Sequence, residues 1–264
     1  MIQGPTMMQG EVIWITGASS GIGQALARTL SRSGNTIVAT ARNNQALEEL
    51  AAQSSGIHVL TCDVTDQQQM QDAKDWIDAK FGYIDRVIIN AGVCEYFDID
   101  TPDWDAMKRV MDVNYFGAVN TVSNALPLLE KSSSRSRQIL VTSSLANVVP
   151  FPRAEAYGAS KAAVHYFFES LRIDLAETNI AVSIIQPGFV KTPMTDANDF
   201  SMPFIVSTES AVKCIVKEMK EKRRLITFPK RFAVLLYSLR CFPKLWHWLA
   251  VNKLSRETQK EPAK

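Results

Sequence analysis

The chain is poor in the residues that bind metal ions or form disulfide networks. Its 264 residues include only three histidines, which are dispersed and do not supply the ligand set of a catalytic zinc. The four cysteines form no C-x-x-C pair, which argues against a disulfide framework or a zinc knuckle. We therefore expect chemistry without a metal, and reduced, mostly buried thiols. The cysteines are Cys62, Cys94, Cys214 and Cys241.

Long apolar runs are lacking as well. No run approaches the roughly 20 residues that a helix needs to cross a bilayer. Residues 1–10 contain no basic segment followed by an apolar one, which argues against a secretion signal and favours a flexible leader. The net charge of +2 gives no general reason to expect a nucleic-acid partner. We expect a cytoplasmic protein.

Strand-like apolar runs alternate with longer helical patterns along most of the chain. This alternation is typical of βαβ units and a parallel sheet. No internal repeat or linker divides the chain, so one α/β domain is expected, doubly wound, with seven parallel strands and helices on both faces. The strands are predicted near residues 12–16, 36–41, 58–61, 86–90, 138–142, 181–186 and 225–228.

A glycine-rich segment, T-G-A-S-S-G-I-G at residues 16–23, follows the first strand and begins a helical pattern. Gly17 permits a tight turn, Gly21 lets the backbone approach a pyrophosphate, and Gly23 lets the helix pack close to the strand. Free N–H groups at the helix N-terminus would face the anion. Ser19, Ser20 and Ile22 belong to the same turn. Most glycine clusters are only turns, so this segment needs support from elsewhere in the chain.

A second motif, Y-G-A-S-K, places Tyr157 and Lys161 four residues apart in a helical segment. Both side chains then project from one helix face. Free tyrosine has a pKa near 10, and a neighbouring cation such as Lys161 would favour the phenolate. The alternative is an amphipathic helix that uses these residues for packing and solubility.

Taken together, the two motifs and the preceding Ser143-Ser144 pair resemble those of the short-chain dehydrogenase/reductase family. The resemblance extends from about residue 11 to residue 228 and implies a Rossmann fold. It implies that Tyr157 is the general acid for carbonyl reduction and the base for alcohol oxidation, and that Lys161 also holds the nicotinamide ribose. The family's serine lies thirteen residues before the tyrosine, which selects Ser144 as the substrate-binding hydroxyl.

The resemblance assigns further residues. Asn114 would be the buried helical asparagine that anchors a water in the proton relay beside Lys161; its alternative is a hydrogen-bonded core amide. Asp63 and Val64 would contact adenine, although Asp63 could equally cap a helix. The N-A-G turn and the P-G turn with its following residues would line the cofactor site. These last residues are Asn90, Ala91, Gly92, Pro187, Gly188, Val190 and Thr192.

The end of the second predicted strand indicates which dinucleotide is bound. An acidic residue there would bind ribose hydroxyls and favour NAD, but the sequence has Arg42. Its planar guanidinium suits a 2′-phosphate, with Thr40 and Asn43 as possible partners. We infer NADP(H) rather than NAD(H). The alternative is that Arg42 is a solvated loop cation.

The last part of the chain differs in character from the rest. Residues 193–207 mix aromatic, Met and Pro residues and are interpreted as a substrate lid. Residues 229–254 have no acidic residue and interleave cations with aromatic and aliphatic side chains, which predicts an amphipathic helical extension. Phe232, Leu235, Leu236 and Leu239 share one helical face. A peripheral membrane contact, a cap over an apolar substrate and a subunit contact all remain open, and residues 255–264 are expected to be a flexible tail.

The sequence therefore predicts an NADP(H)-dependent oxidoreductase that interconverts a carbonyl and a secondary alcohol on a hydrophobic, lipid-, retinoid- or steroid-like substrate. Residues 11–228 would form the catalytic domain. The alternative is a catalytically silent dinucleotide-binding sensor or a membrane-associated scaffold. By resemblance, the helices near residues 103–130 and 156–177 would pair to form a homodimer or homotetramer.

Overall fold

The computed structural model describes residues 9–134, 136–196 and 198–254. The predicted tail, and all but the last two residues of the predicted leader, lie outside the described residues. Within them, one seven-stranded sheet has all its strands parallel and is ordered β3-β2-β1-β4-β5-β6-β7. The strands are β1 (Val12–Thr16), β2 (Thr36–Ala41), β3 (Ile57–Thr61), β4 (Arg86–Ile89), β5 (Gln138–Thr142), β6 (Ala181–Pro187) and β7 (Leu225–Phe228). The predicted sheet is confirmed.

The direction in which strands are added reverses at β1. The chain proceeds from β1 to β2 and β3 on one side, then returns to place β4 against the other side of β1. Such a reversal leaves a crevice beyond the carboxyl ends of the two central strands, which is where ligands bind in open α/β sheets.

Helices cover both faces of the sheet. Residues of β1 alternate between the two layers: Ile13 and Ile15 join one apolar cluster, while Val12 and Trp14 join the other. This alternation follows from the two-residue period of a strand. The helices are α1 (Gly21–Arg32), α2 (Asn44–Ala51), α3 (Gln67–Phe81), α4 (Asp105–Met111), α5 (Gly117–Lys131), α6 (Glu155–Asp174), α7 (Pro193–Asp196), α8 (Thr208–Lys220), α9 (Lys230–Arg240) and α10 (Pro243–Leu249). The doubly wound α/β fold is confirmed.

The long helix expected from residue 103 to residue 130 runs from residue 105 to residue 131, with one π-helical segment inside it. The Asp103 carboxylate accepts hydrogen bonds from the N–H groups of Asp105 and Ala106, so the helix begins after this cap. Between α4 and α5 the chain widens into one π-helical segment, Asp112–Phe116. Such a bulge shifts the side chains that follow it around the helix axis.

The C-terminal helices pack onto the rest of the protein. In α9 and α10, Phe232, Leu236 and Trp246 are buried against Leu145 and Val149. The Trp246 indole N–H donates to the carbonyl of Pro150 at 2.8 Å. The helical extension was therefore expected correctly, but Phe232 and Leu236 face the protein, because the loop after β5 offers them an apolar partner.

No helix within the described residues is both long and apolar enough to cross a membrane.

Candidate active site

A cavity of about 400 Å³ lies at the carboxyl ends of the central strands. Every residue assigned to the site from sequence lines it, except Gly23, Thr40 and Asn114. Gly23 lies behind the glycine turn, Asn114 lies behind Gly92, and Thr40 is buried in the sheet layer. Residues that sequence reasoning did not assign to the site also line the cavity: Ala41, Cys62, Val93, Val113, Thr142 and Thr195.

The glycine turn fits its predicted geometry. Gly17 has a φ of +66°, and a Cβ there would lie 2.7 Å from the Cα of Ala91. A Cβ on Gly23 would collide with the carbonyl oxygen of Gly17, so a side chain would push α1 away from the turn. At the start of α1 the Ser20 side chain makes no capping hydrogen bond. The first turn of α1 therefore has backbone N–H groups that are free to bind an anion in the cavity.

Asn90 ties three strand ends together beneath the cavity. Its amide N–H donates to the carbonyl of Gly17 at 3.2 Å, and its amide oxygen accepts from the Thr142 hydroxyl at 3.2 Å. The hydroxyl of Thr16 accepts from the backbone N–H groups of Asn90 and Ala91. Asn90 thus shapes the cavity wall through its side chain. The contribution of Thr16 and Thr142 was not predicted from the sequence. The feature that could have indicated it is that both β1 and β5 end in a threonine.

Tyr157 and Lys161 lie one turn apart on α6, at the inner end of the cavity. The Lys161 Nζ is 5.7 Å from the centroid of the Tyr157 ring and donates to the carbonyl of Thr142 at 2.9 Å. Burial lowers the pKa of Lys161 to about 8. Burial also raises the pKa of Tyr157 to about 12.

The expected lowering of the Tyr157 pKa by Lys161 is therefore wrong for this structure. Removing the phenolate from water is the largest cause of the shift, and electrostatic repulsion from the nearby Cys94 adds to it. A hydrogen bond with Ser144 acts in the opposite direction. The phenol consequently holds its proton at neutral pH.

The two serines at the end of β5 have different contacts. Ser144 lies near enough to Tyr157 to lower the pKa of its phenol, and it accepts from the N–H of Ala146 at 3.1 Å. Ser143 is buried and donates to the backbone carbonyl of Lys161 at 3.0 Å. It also accepts from the amide of Asn147. Ser143 thus supports the turn, whereas Ser144 lines the cavity together with the tyrosine.

Asn114 lies in the π-helical segment and is 1% exposed. Its amide donates to the carbonyl of Val93 and to the Ser160 hydroxyl, both at 2.9 Å, and its oxygen accepts from the N–H of Val93 at 2.8 Å. These contacts are those of a hydrogen-bonded core amide. A Cβ on Gly92 would lie 3.1 Å from the Asn114 oxygen and 3.3 Å from the Lys161 Nζ, so both polar groups converge on Gly92.

The other end of the cavity contains the predicted dinucleotide-discriminating residues. The Arg42 side chain is 67% exposed, and its Nη1 is 3.8 Å from the Asp63 carboxylate. Asp63 also accepts from the N–H and hydroxyl of Thr65, so it closes a local turn, while Asp66 caps α3. Asn43 lines the cavity and caps α2.

Thr40 does not belong to this end of the cavity, and its expected role as a partner of Arg42 is wrong. Its hydroxyl donates to the carbonyl of Ile15 and accepts from the Trp14 indole. The side chain is 1% exposed, because alternation along β2 turns it into the sheet layer.

The segment interpreted as a lid contacts the loop after β4. The Tyr96 hydroxyl donates to the Asn198 amide oxygen at 2.8 Å, and the Tyr96 ring meets Phe200 edge-on at 5.5 Å. Arg153 donates to the Asp199 carboxylate at 2.9 Å. Sequence reasoning missed Tyr96 and Arg153, because only the fold brings residues 96, 153 and 198–200 together.

Comparison with known proteins identifies the class to which this fold and site belong. Residues 11–201 match the family model described as short chain dehydrogenase, and the chain belongs to that family. Members of the family use NAD(P)(H) and act as oxidoreductases.

Individual relatives carry several names. An uncharacterised oxidoreductase of Myxococcus xanthus is 37% identical over 225 residues, covering 83% of this chain and 88% of that protein. 11-beta-hydroxysteroid dehydrogenase A of Sesamum indicum is 30% identical, covering 91% of this chain and 74% of that protein. A fatty acyl-CoA reductase of Acinetobacter baylyi is 32% identical, covering 88% of this chain and 81% of that protein.

Proposed function

We propose that the protein is an NADP(H)-dependent oxidoreductase that interconverts a carbonyl and a secondary alcohol. One observation carries this proposal: a single cavity joins the glycine turn and Arg42 at one end to Ser144, Tyr157 and Lys161 at the other. A cofactor lying along the cavity would have its phosphates at the start of α1 and its nicotinamide beside Tyr157.

The residues present fit a dinucleotide. A Cβ on Gly17 or Gly23 would close the phosphate turn, and the first N–H groups of α1 lack a side-chain cap. We assign pyrophosphate binding to the turn formed by residues 17–23, adenine to Asp63 and Val64, and the nicotinamide ribose to Tyr157 and Lys161. The remaining wall would be supplied by Asn90, Ala91, Gly92, Pro187, Gly188, Val190 and Thr192. When bound, the cofactor supplies or accepts a hydride.

The protein's own residues would bind and protonate the substrate oxygen. In carbonyl reduction, Ser144 donates a hydrogen bond to that oxygen and holds it beside Tyr157. As the carbonyl carbon gains a hydride, the Tyr157 hydroxyl transfers its proton to the oxygen and the alcohol is formed. With a pKa of about 12, the phenol carries the proton that this acid role needs at neutral pH. The buried ammonium of Lys161 stabilises the phenolate that remains.

The choice of NADP(H) over NAD(H) is supported by Arg42. No acidic residue ends β2, and the exposed guanidinium at the cavity mouth can bond a 2′-phosphate with two N–H groups. The Asp63 carboxylate at 3.8 Å competes for the same guanidinium, so part of this attraction is offset.

A hydrophobic substrate is supported by the apolar residues of the cavity. Val93, Val113 and Met194 line it. Phe189 lies between two other aromatic rings. Its ring centroid is 6.0 Å from that of Phe200 and 5.8 Å from that of Phe232. Two relatives are named for a hydroxysteroid and a fatty acyl group, both largely apolar. We propose a lipid-, retinoid- or steroid-like ketone or alcohol.

Oxidation of NADPH and of NADH over a panel of apolar ketones and aldehydes tests the function. We expect NADPH-dependent turnover that falls at least about a hundredfold in Tyr157→Phe, because the proton donor is removed. The matched control is Tyr166→Phe, which removes a hydroxyl from the same helix at a side chain that is 78% exposed. If both proteins bind NADPH yet no panel member distinguishes Tyr157→Phe from wild type, the chain is a dinucleotide sensor.

We also propose a homodimer or homotetramer. Support comes from large apolar side chains left exposed on the helices expected to pair. Phe116 ends the π-helical segment before α5, and Tyr166 and Ile173 lie on α6; they are 51%, 78% and 73% exposed. Monomers seldom leave several such side chains uncovered on neighbouring elements.

A further inference from the structure

The C-terminal helices have a second apolar side, which the proposed reaction does not use. Their inward side chains, among them Phe232, Leu236 and Trp246, pack on the protein. Other large apolar side chains point outward and are 45% to 66% exposed. We call this set the outer C-terminal surface: Val234, Leu235, Phe242, Leu245, Trp248 and Val251.

The outward set follows helical spacing. Leu245, Trp248 and Val251 recur every third residue from α10 into the π-helical turn Ala250–Leu254, and they form one stripe. Trp246 and Ala250 lie on the opposite side and are buried. The stripe is therefore presented by a helix that is already anchored to the protein, so its exposure does not come from a loose end.

The charge around this surface has one sign. The sequence has no acidic residue from position 222 to position 256. Lys230 pairs with Glu218 from α8. Among the described residues, the exposed cations Arg231, Lys244 and Lys253 have no carboxylate within ion-pair distance. An occupant of this surface must combine apolar contact with negative charge.

We propose that the outer C-terminal surface docks on an anionic lipid bilayer. Leu245, Trp248 and Val251 would enter the boundary between head groups and acyl chains, and Lys244 and Lys253 would meet the lipid phosphates. α10 is seven residues long and cannot cross the bilayer, so it lies in the interface plane.

A second copy of the chain fits this surface less well. A two-fold contact brings the same patch of both protomers together, which would oppose the cations of one copy to those of the other. An apolar groove also opens beside the stripe, between residues 148–152 and α10, and shares Val251 with it. Its lining includes the cation Arg240, so the groove adds apolar area and positive charge to the same side.

The test is sedimentation of the full chain with vesicles. Vesicles of phosphatidylcholine alone are compared with vesicles that also contain phosphatidylglycerol, at low and at high salt. We expect binding to the anionic vesicles that weakens with salt. The variant Leu245→Ser/Trp248→Ser should bind at least about tenfold more weakly, and Lys244→Glu/Lys253→Glu should lose the preference for anionic lipid.

Matched variants change the same residue types elsewhere. Ile99→Ser/Trp104→Ser alters two exposed apolar side chains outside the extension, and Lys213→Glu/Lys220→Glu makes the same change of net charge on α8. Both should bind as wild type does. Wild type that stays in the supernatant with both vesicles overturns the proposal, and so does a Leu245→Ser/Trp248→Ser variant that binds normally. Loss of a dimer in that variant, without vesicle binding by wild type, assigns the surface to a second copy.

The failure of this proposal is distinguishable from a failure of the proposed reaction. NADPH turnover in buffer without lipid should be the same in wild type and in Leu245→Ser/Trp248→Ser, because neither side chain lines the cavity. Vesicle binding is measured without cofactor or substrate.

Discussion

At the scale of single residues, burial dominates the chemistry of the site. Tyr157 and Lys161 are one helical turn apart, as the sequence implied, but their pKa values are displaced toward the neutral form of each group. Desolvation disfavours both the phenolate and the ammonium. Cys94, which lies close enough to affect both, was read from sequence only as a scattered thiol. Residue type and spacing predicted the pair, whereas the sign of the shift depended on what surrounds it.

The pH dependence of reduction should reflect Lys161. With a pKa of about 8, its ammonium is present below pH 8 and is lost as the pH rises through that value. Tyr157, with a pKa of about 12, keeps its proton over the same range. We expect the kcat/KM for carbonyl reduction to be level below pH 8 and to fall above it.

Substituting Lys161→Arg should test this assignment, since a guanidinium stays charged throughout the range. The alkaline fall should move to higher pH, even if the plateau is lower. A fall that stays near pH 8 in the variant would assign it to another group.

Cofactor preference belongs to the same scale. Arg42→Ala should raise the KM for NADPH about tenfold or more and leave the KM for NADH nearly unchanged, because only the former has a 2′-phosphate. Asp63→Asn is the matched variant: it removes the carboxylate 3.8 Å from Arg42, so the preference for NADPH over NADH should rise, while a weakened adenine contact would affect both cofactors alike. An unchanged KM for NADPH in Arg42→Ala would mean that the guanidinium is a solvated loop cation.

At the scale of elements, the C-terminal helices support the catalytic turn. Trp246 donates to the carbonyl of Pro150 and meets the Phe151 ring at 5.2 Å, in the loop that follows the Leu145–Asn147 turn capped by Ser144. Gly188, beside the cavity, leaves room for Phe232, which would lie 3.0 Å from a Cβ at that position. The extension that sequence reasoning set apart from the catalytic region is thus packed against two of its loops.

Two tryptophans of α10 differ in whether they pack on the protein: Trp246 is buried and Trp248 is exposed. Trp246→Ala should lower the free energy of unfolding by about 3 kcal/mol, because it leaves a cavity and an unpaired carbonyl. Trp248→Ala should change it by less than about 0.5 kcal/mol, because that side chain is 56% exposed. Chemical denaturation monitored by circular dichroism measures both. Equal stability of the two variants would show that the packing of Trp246 contributes little.

At the scale of the whole molecule, the doubly wound sheet collects residues far apart in sequence at one edge. Gly17, Arg42, Asn90 and Ser144 follow four different strands, and together with Tyr157 of α6 they line one cavity. The exposed apolar residues of α6 lie on a part of the surface that this cavity does not use. The cytoplasmic location and the domain boundaries stay predictions at this scale.

The oligomeric state is tested at this scale by light scattering after size exclusion. Wild type should elute as a dimer or tetramer, and Tyr166→Asp/Ile173→Asp should be a monomer, because burying two carboxylates in an apolar contact is costly. The control Ile99→Asp changes a side chain that is 75% exposed elsewhere. A wild-type monomer, or an Ile99→Asp monomer, would contradict pairing through α6.

The sequence by itself determined the strands, the doubly wound class and the motif residues that line the cavity. Its signals are local: apolar periodicity, glycines at a turn, and a four-residue spacing along a helix. These features are fixed by the chain's own covalent geometry and by the need to bury apolar side chains.

Only the tertiary structure decided the rest. It turned the Thr40 hydroxyl into the sheet, widened the helix into a π-helical segment at Asn114, set Tyr96 against residues 198–200, and gave α9 and α10 one buried and one exposed side. Each of these outcomes depends on which distant segment packs against the residue. Desolvation and contact with a distant neighbour are properties of the folded environment. Residues that lie tens of positions apart in sequence show no local pattern from which such a contact could be predicted.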